Sequence, residues 1–276
     1  MKKVLITGAN SYIGESVKSY LLQTPNLYYV DIKDTIGWEP KQSDFVGYDV
    51  VFNVAGVAHI RETKQNQHIY YEINRDLIIK IAKTAKKAGV KQFILLSSMS
   101  VYGMTVGRIT KSMSEAPVDA YGKSKVQADK AIKKLEDKKF GFACLRPPMV
   151  YGKGCKGNYQ KLRAFALKTF IFPEVHNHRS MIYIGNLCEF VKDCIDKNKT
   201  GLFFPQNAEY SNTSEMVKII AHCNGKTIKT TKIFNWLIKI IPGDTFKKVF
   251  GSLIYEKTDL VNKYGLRESI ILSEDN

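Results

Sequence analysis

Tyr121 and Lys125 stand four residues apart, and Ser98 precedes Tyr121 by 23 residues. On a helix the first two share one face and reach the same small volume. A lysine ammonium beside a phenol favours the phenolate, so Lys125 is expected to lower the Tyr121 pKa and let the pair move a proton near neutral pH. Ser98 follows the apolar run Phe93-Ile94-Leu95-Leu96-Ser97. That places it at the carboxyl end of a buried strand, the edge where open α/β sheets bind their ligands. In a chain with 15 Tyr and 42 Lys and Arg, a Tyr-x-x-x-Lys alone also fits a plain surface helix. Its meaning depends on the elements that position it.

The amino terminus supplies the first of these. Val4-Leu5-Ile6 reads as a short buried strand, and Thr7-Gly8-Ala9-Asn10-Ser11-Tyr12-Ile13-Gly14 as a glycine-bearing turn into a helix. Ile13, Val17, Tyr20 and Leu21 recur at helical spacing beyond it. Strand, turn and helix in this order form the setting that a dinucleotide fingerprint requires. Gly8 permits the tight turn, Gly14 lets helix and strand pack closely, and the helix amino end at Asn10, Ser11, Tyr12 and Ile13 offers N–H groups to a pyrophosphate. Ser11 stands where the fingerprint has its middle glycine, and is expected to supply a hydroxyl instead. Alone, this segment also fits an ordinary strand–helix turn.

Together the two segments make the chain resemble the extended short-chain dehydrogenase/reductase family, the NAD-dependent nucleotide-sugar epimerases, dehydratases and ketoreductases. The family's Thr-Gly-x-x-Gly-x-x-Gly falls on Thr7 to Gly14 with that one substitution, and its Ser-Ser-x-x-Val-Tyr-Gly on Ser97 to Gly103. Tyr121-Gly122-Lys123-Ser124-Lys125 matches its Tyr-x-x-x-Lys, and Asn74 the asparagine of the helix after its fourth strand. Arg146-Pro147-Pro148-Met149-Val150-Tyr151-Gly152 is similar to the segment leading into the substrate loop, and Arg179 to the arginine that grips the nucleotide diphosphate. The resemblance covers roughly residues 1 to 225 and implies an α/β fold, a Rossmann-type doubly wound parallel sheet with a small C-terminal substrate-binding domain.

It also implies roles. Ser98, Tyr121 and Lys125 would be catalytic. Gly8, Asn10, Ser11, Tyr12, Ile13, Gly14, Ala55, Gly56, Asn74, Tyr121, Lys125 and Pro148 would hold the cofactor, and Ser98, Ser100, Asn158 and Arg179 the substrate. Asp31 and Asp34 lie 17 and 20 residues beyond Gly14. Either could accept hydrogen bonds from the adenosine ribose, and a carboxylate there repels a 2′-phosphate, which favours NAD over NADP. Asp34 is preferred, because Val30 and Ile32 read as strand interior. Asp44-Phe45 lies where the family places an acidic-plus-apolar pair near adenine. The family's 4,6-dehydratases carry an Asp-Glu pair just after the catalytic hydroxyl; Met99 and Ser100 stand there, which disfavours water elimination. The partner implied is a nucleotide-diphosphate sugar, and the assembly a homodimer. The reading leans to a UDP-4-keto-6-deoxy-HexNAc 4-reductase of surface polysaccharide synthesis. A UDP-glucose or UDP-HexNAc 4-epimerase is the alternative, and a non-catalytic dinucleotide-sensing regulator a remote one.

Composition bounds the rest. At 276 residues with 44% hydrophobic and 25% charged side chains, the chain can bury a substantial core. Its five cysteines form no Cys-x-x-Cys pair and read as reduced thiols of a cytoplasmic protein. His176, His178 and Cys155 fit no zinc template, so no metal is expected. The net charge of +16 raises nucleic acid, acidic lipid or an anionic substrate. Its lysines alternate with apolar residues on helical faces, without a basic tail, zinc finger or RNA-binding signature, so no nucleic-acid partner is expected. Weak peripheral attraction to acidic lipid stays open. No signal peptide is read at the start, and the apolar run 233–241 is too short and interrupted to span a bilayer.

Strand-like runs at residues 50–54, 93–96 and 142–145 alternate with helical patterns, as in a parallel sheet covered on both faces. Residues 35–47 carry Gly37, Pro40 and no period, which predicts a shortened connection. The predicted Rossmann domain spans 1–152 with 181–206 returning to it, and the substrate domain 153–180 and 207–276. Ser214 reads as a helix start.

Overall fold

Unbroken apolar runs bounded by turn residues become the strands of a parallel sheet, because helices bury both of its faces. The computed structural model describes residues 1–58, 60, 62–233, 249–257 and 262–275. The apolar run from 234 to 241 lies outside these residues. Among them, no helix is long and apolar enough to cross a membrane.

In chain order, β1 (Lys2–Thr7), α1 (Tyr12–Leu21), β2 (Tyr28–Lys33) and β3 (Val50–Asn53) lead to α2 (Gln67–Tyr71) and α3 (Ile78–Lys87). A π-helical turn at Glu72–Leu77 joins these two helices. β4 (Gln92–Leu96), β5 (Gly107–Ile109), α4 (Ala120–Lys133), β6 (Gly141–Leu145) and β7 (Met149–Tyr151) follow. Next come α5 (Asn158–Lys168), β8 (Ile171–Pro173), β9 (Met181–Tyr183), α6 (Ile184–Asp196) and β10 (Gly201–Phe203). The chain continues through α7 (Thr213–Cys223), β11 (Lys229–Thr231), β12 (Leu253–Tyr255) and a last helix, α8 (Leu266–Glu274). Helix α7 starts after Asn212, whose side chain accepts the Glu215 N–H at 3.0 Å, two residues ahead of the expected Ser214.

The chain divides into two compact units. The first comprises Met1–Gly103, Glu115–Pro147 and Cys188–Pro205, and holds a six-stranded parallel sheet in the order β10-β6-β4-β3-β1-β2. Leu5, Val51, Phe93, Leu95, Phe142 and Cys144 turn one face toward Ile78, Ile81, Ala82, Ala85 and Ile132 of α3 and α4. Alternate residues Val4, Ile6, Phe52, Ile94 and Ala143 are fully or almost fully buried on the other. In register, Thr7 lies beside Lys33 and Asn53, so β1, β2 and β3 end at one level.

The connection between β2 and β3 is short, with a single 3-10 turn at Gln42–Phe45. Phe45 enters the core cluster and is fully buried, and the Asp44 carboxylate accepts the Trp38 Nε1–H at 3.2 Å and the Lys41 N–H at 2.8 Å. These contacts commit Phe45 to packing and part of the Asp44 carboxylate to its own turn. With only a 3-10 turn in this connection, Phe45 is its one side chain buried in the core cluster.

The second unit comprises Met104–Ser114, Pro148–Leu187 and the chain from Gln206 onward, and its strands pair in twos. β5 pairs with β12 (Gly107 beside Leu253) and β7 with β9 (Met149 beside Met181). These pairings group 104–114, 148–152 and 181–187 with the second unit, whereas the sequence reading places them in the Rossmann domain. Partners so distant along the chain leave no local periodicity to read.

Gly8 carries φ +114°, and a Cβ there would lie 2.7 Å from the Ala55 nitrogen. Gly37 has φ +66° with nothing within 4 Å of its Cβ position. Gly8→Ala should therefore lose about 2–4 kcal/mol of stability, from backbone strain plus overpacking, and Gly37→Ala about 1–2 kcal/mol from strain alone. Urea unfolding of both variants checks this, and equal losses would show that close approach at Ala55 is not the constraint.

Candidate active site

The turn from β1 into α1 is closed by its own side chains. The Ser11 hydroxyl accepts the Gly14 N–H at 3.2 Å and donates to the Gly8 carbonyl at 2.6 Å, so it caps the helix. These two bonds occupy the hydroxyl that the sequence reading assigns to phosphate. Asn10, at φ 60°, donates its N–H to Glu15 Oε1 at 3.2 Å, while Gly8 and Ala9 donate theirs to the Lys33 carbonyl. A Cβ on Gly14 would approach Ser11 Oγ to 2.5 Å and the Val54 side chain to 3.0 Å, so this helix packs on the sheet only through glycine. Tyr12 and Ile13 open the helix behind the cap.

At the end of β2, the Asp31 carboxylate accepts the Tyr48 phenol, and Asp34 accepts the Ile36 N–H at 3.0 Å in a tight turn. Burial first, then the Asp31 hydrogen bond, pushes the Tyr48 phenol well up. Strand β2 runs on to Lys33, so Asp31 lies inside it and Asp34 just past its end.

A second cluster forms at the carboxyl end of β4. Ser98 is extended (φ −158°, ψ 152°), and its Oγ accepts both the Ser100 N–H at 3.1 Å and the Ser100 hydroxyl at 3.0 Å. Tyr121 lies in the first turn of α4, where Asp119 accepts the Gly122 N–H at 2.7 Å and Glu62 the Ala120 N–H at 2.8 Å. These carboxylates satisfy helix-end donors and complement the positive end of the dipole. Burial pushes the Tyr121 phenol up, and a hydrogen bond with Ser98 pulls it back. The expected net lowering by Lys125 is corrected: burial sets the direction of the shift, and the opposing pull comes from Ser98. Lys125 is only 4% exposed and donates from Nζ to the Leu96 carbonyl at 3.0 Å. Burial pulls its amine down to about 8, against the opposing charge of Asp129.

Gly56 faces the amine from the turn after β3. A Cβ there would lie 2.9 Å from Asn74 Oδ1 and 3.1 Å from Lys125 Nζ. Asn74 sits in the π-helical turn, fully buried, and clamps the same loop. Its Oδ1 accepts the Val57 N–H at 2.7 Å and its Nδ2 donates to the Val57 carbonyl at 2.9 Å. The amide is thus committed to the backbone beside Ala55 and Gly56. A tight glycine turn at a helix amino end, with Gly56 exposed over a buried lysine, fits a dinucleotide. The turn segments would hold it, and the Lys125 amine would meet its ribose.

Three expected site residues belong to the second unit. Pro148 is buried at the start of β7, and Asn158 opens α5 and is exposed. Arg179 donates from Nη1 to the Gly251 carbonyl at 2.9 Å, and burial lowers its pKa.

Sequence reasoning missed a buried polar group behind Ser98. Asp129 Oδ2 accepts the Ser97 hydroxyl at 2.9 Å and Arg146 Nε–H at 3.1 Å. Arg146 also donates to the Tyr102 hydroxyl and to Glu115 Oε1, both at 2.8 Å. Asp129 is four residues past Lys125 and interrupts the apolar stripe of Ala128 and Ile132, a signal that could have singled it out. All five cysteines are free, and among the described residues no group of His, Cys, Asp and Glu could hold a metal.

A family model described as NAD dependent epimerase/dehydratase family matches residues 4–191. A UDP-glucose 4-epimerase of Vibrio cholerae is 30% identical over 95% of this chain and 85% of its own. An N-acetyl-alpha-D-glucosaminyl-diphospho-ditrans,octacis-undecaprenol 4-epimerase of Escherichia coli O157:H7 is 27% identical over 68% of this chain and 62% of its own. Among solved structures, a UDP-glucuronic acid 4-epimerase from Bacillus cereus in complex with NAD superposes with TM-score 0.78 at 16% identity, covering 99% of this chain and 95% of that one. A dTDP-4-dehydrorhamnose reductase from Bacillus anthracis in complex with NADP gives 0.77 at 17% identity, covering 99% and 98%. These two likenesses carry the fold alone.

Competitive acetylation of lysines across pH, read by mass spectrometry, should find Lys125 titrating near pH 8 rather than near its ordinary 10.5. Asp129→Asn removes the charge that favours the ammonium, so it should move that titration to lower pH. A Lys125 that titrates with the exposed lysines would overturn the assignment.

Proposed function

Because the chain belongs to the NAD dependent epimerase/dehydratase family, an enzyme family with NAD as its cofactor, we propose that it moves hydride at C4 of a UDP-sugar, as a UDP-4-keto-6-deoxy-HexNAc 4-reductase. The observation that carries the C4 chemistry is the Lys125 amine, buried and bonded to the Leu96 carbonyl at the strand end that presents Ser98, on the same helix as Tyr121. NAD in its reduced form supplies the hydride when bound. Tyr121 donates its phenolic proton to the sugar 4-oxygen as that oxygen gains charge, and Ser98 hydrogen-bonds the same atom. Ser100 holds the Ser98 hydroxyl in place. Lys125, once charged, lowers the cost of the phenolate and meets the nicotinamide ribose. Arg179, half-buried and lowered in pKa by burial, is suited to pair with a diphosphate.

The reductive direction rests on the pyrophosphate turn. The N–H groups of Gly8, Ala9, Asn10 and Gly14 are taken by Lys33, Glu15 and Ser11, which reduces what the turn offers a pyrophosphate. A loosely held cofactor suits an enzyme that must exchange it every turnover. The second reading is a UDP-glucose or UDP-HexNAc 4-epimerase, favoured by the Vibrio cholerae relative. An epimerase returns hydride to the same sugar and gains from holding its cofactor tightly.

Tyr121→Phe should lower kcat about 10²–10⁴-fold, the contribution of a positioned proton donor, while leaving NAD affinity and thermal unfolding near wild type. Turnover within a factor of two of wild type would remove Tyr121 from the chemistry. The reductase reading is checked by stoichiometry. The purified protein should be largely cofactor-free and should oxidise one NADH per UDP-4-keto-6-deoxy-HexNAc converted. Protein that arrives with NAD bound and interconverts UDP-glucose and UDP-galactose without added cofactor is the epimerase.

A further inference from the structure

Exposed apolar side chains gather on one ribbon of the second unit. β8 and β11 pair in parallel, with Ile171 beside Lys229 and Phe172 beside Thr230. Phe172 is buried against Phe165 and Phe250, while its neighbour Ile171 is turned outward and 51% exposed. Phe170, immediately before the strand, and Ile233, two residues past β11, are each 73% exposed. Large apolar groups this open on adjoining strands form a ridge that water solvates poorly.

The segments that carry the ridge are rich in cations. Residues 158–173 contribute Lys161, Arg163 and Lys168, and residues 225–233 contribute Lys226, Lys229 and Lys232, with no Asp or Glu in either segment. Arg163 is paired with Glu274, and Lys232 approaches Glu174 at 4.0 Å. Lys226 ties the two features together: its ammonium donates to the Leu167 carbonyl and sits 5.8 Å from the Phe170 ring centroid. The same lysine lines a shallow pocket of about 290 Å³ with Lys218, His222 and Arg267, again without a carboxylate.

We propose that this ribbon docks on an anionic lipid bilayer, with Phe170, Ile171 and Ile233 entering the headgroup layer and Lys168, Lys226 and Lys229 pairing with lipid phosphate. Charge complementarity selects that occupant. A second copy of the chain would bring the same cations face to face, whereas an anionic headgroup layer over an apolar interior matches both the cations and the ridge. The pocket beside Lys226 is suited to a headgroup phosphate. Nucleic acid would match the cations but not the aliphatic ridge.

The full chain should co-sediment with vesicles of mixed phosphatidylglycerol and phosphatidylcholine, and not with phosphatidylcholine alone. Lys226→Glu with Lys229→Glu should weaken that binding at least tenfold, in line with about 1 kcal/mol per basic residue at the surface. Lys80→Glu with Lys83→Glu, the same charge change on α3 in the first unit, should leave it within a factor of three. Equal losses from the two pairs would mean that net charge alone attracts lipid, and would overturn the assignment. Phe170→Trp should blue-shift its emission on the anionic vesicles; unshifted emission would overturn insertion of the ridge. Phe170→Ser with Ile171→Ser should weaken vesicle binding and leave the sedimentation coefficient unchanged. Conversion of a larger oligomer to a smaller one by that variant would assign the ridge to a second copy. Tighter binding to a single-stranded oligonucleotide than to the vesicles would assign the cations to nucleic acid.

Discussion

A lysine amine held almost out of water at the end of β4 is the constraint around which the first unit is arranged. Lys125 is 4% exposed, and an ammonium there is tolerated only with compensating partners. The Leu96 carbonyl accepts from it, and the charge of Asp129, one helical turn away, favours its protonated form. The result is an amine brought down to about 8, well below its ordinary 10.5. Its neighbours follow from that placement. The turn after β3 passes over it as glycine, because a Cβ at Gly56 would press on the amine and on Asn74 together. Asn74 is locked to both polar groups of Val57, so the position of that backbone is fixed from beneath. The π-helical turn carrying Asn74 gives up regular helix geometry to put the amide there, a kind of irregularity found often at functional sites.

The buried ion pair behind Ser98 serves the same end from the other side. Asp129 and Arg146 are both almost fully buried, and such a pair contributes little net stability compared with apolar packing. What it provides is position. Asp129 takes the Ser97 hydroxyl, Arg146 takes Tyr102 and Glu115, and the Met99 N–H reaches the Pro147 carbonyl at 3.0 Å. The strand end, the 3-10 turn at Met99–Tyr102 and the start of the segment after β6 are thereby tied into one polar group. Ser98 follows Ser97 at this strand end, with its hydroxyl bonded to Ser100. A proton donor and its hydrogen-bonding partner need this kind of support, since the chemistry depends on distances of a few tenths of an ångström.

The β1–α1 turn shows a different balance. Ser11 strengthens the helix by capping Gly14 and closes the turn onto the Gly8 carbonyl. Each donor that the protein satisfies for itself is one that the turn does not present to an anion. The connection after β2 is reduced in the same sense, with Phe45 drawn into the core. Both features lie on the half of the sheet away from Ser98 and Tyr121.

The sequence by itself determined what depends on a few neighbouring residues. The glycine turn, the Ser98 strand end, the four-residue spacing of Tyr121 and Lys125, and the alternation of strands with helices are all set within short windows, where periodicity and turn chemistry act directly. The direction of the Tyr121 shift was not, because desolvation is a property of everything packed around a group. Nor was the Asp129–Arg146–Glu115–Tyr102 group, whose members are spread over 45 positions from 102 to 146 and meet only when β6 and α4 fold together. Asn74 was readable as a site residue, yet its commitment to Val57 required the loop after β3 to lie against it. Burial of Phe45, the pairing of β5 with β12, and the Phe170–Ile171 ridge beside Lys229 were likewise decided by contacts between distant segments. Local sequence encodes geometry along the chain; solvation and partnership are decided across it.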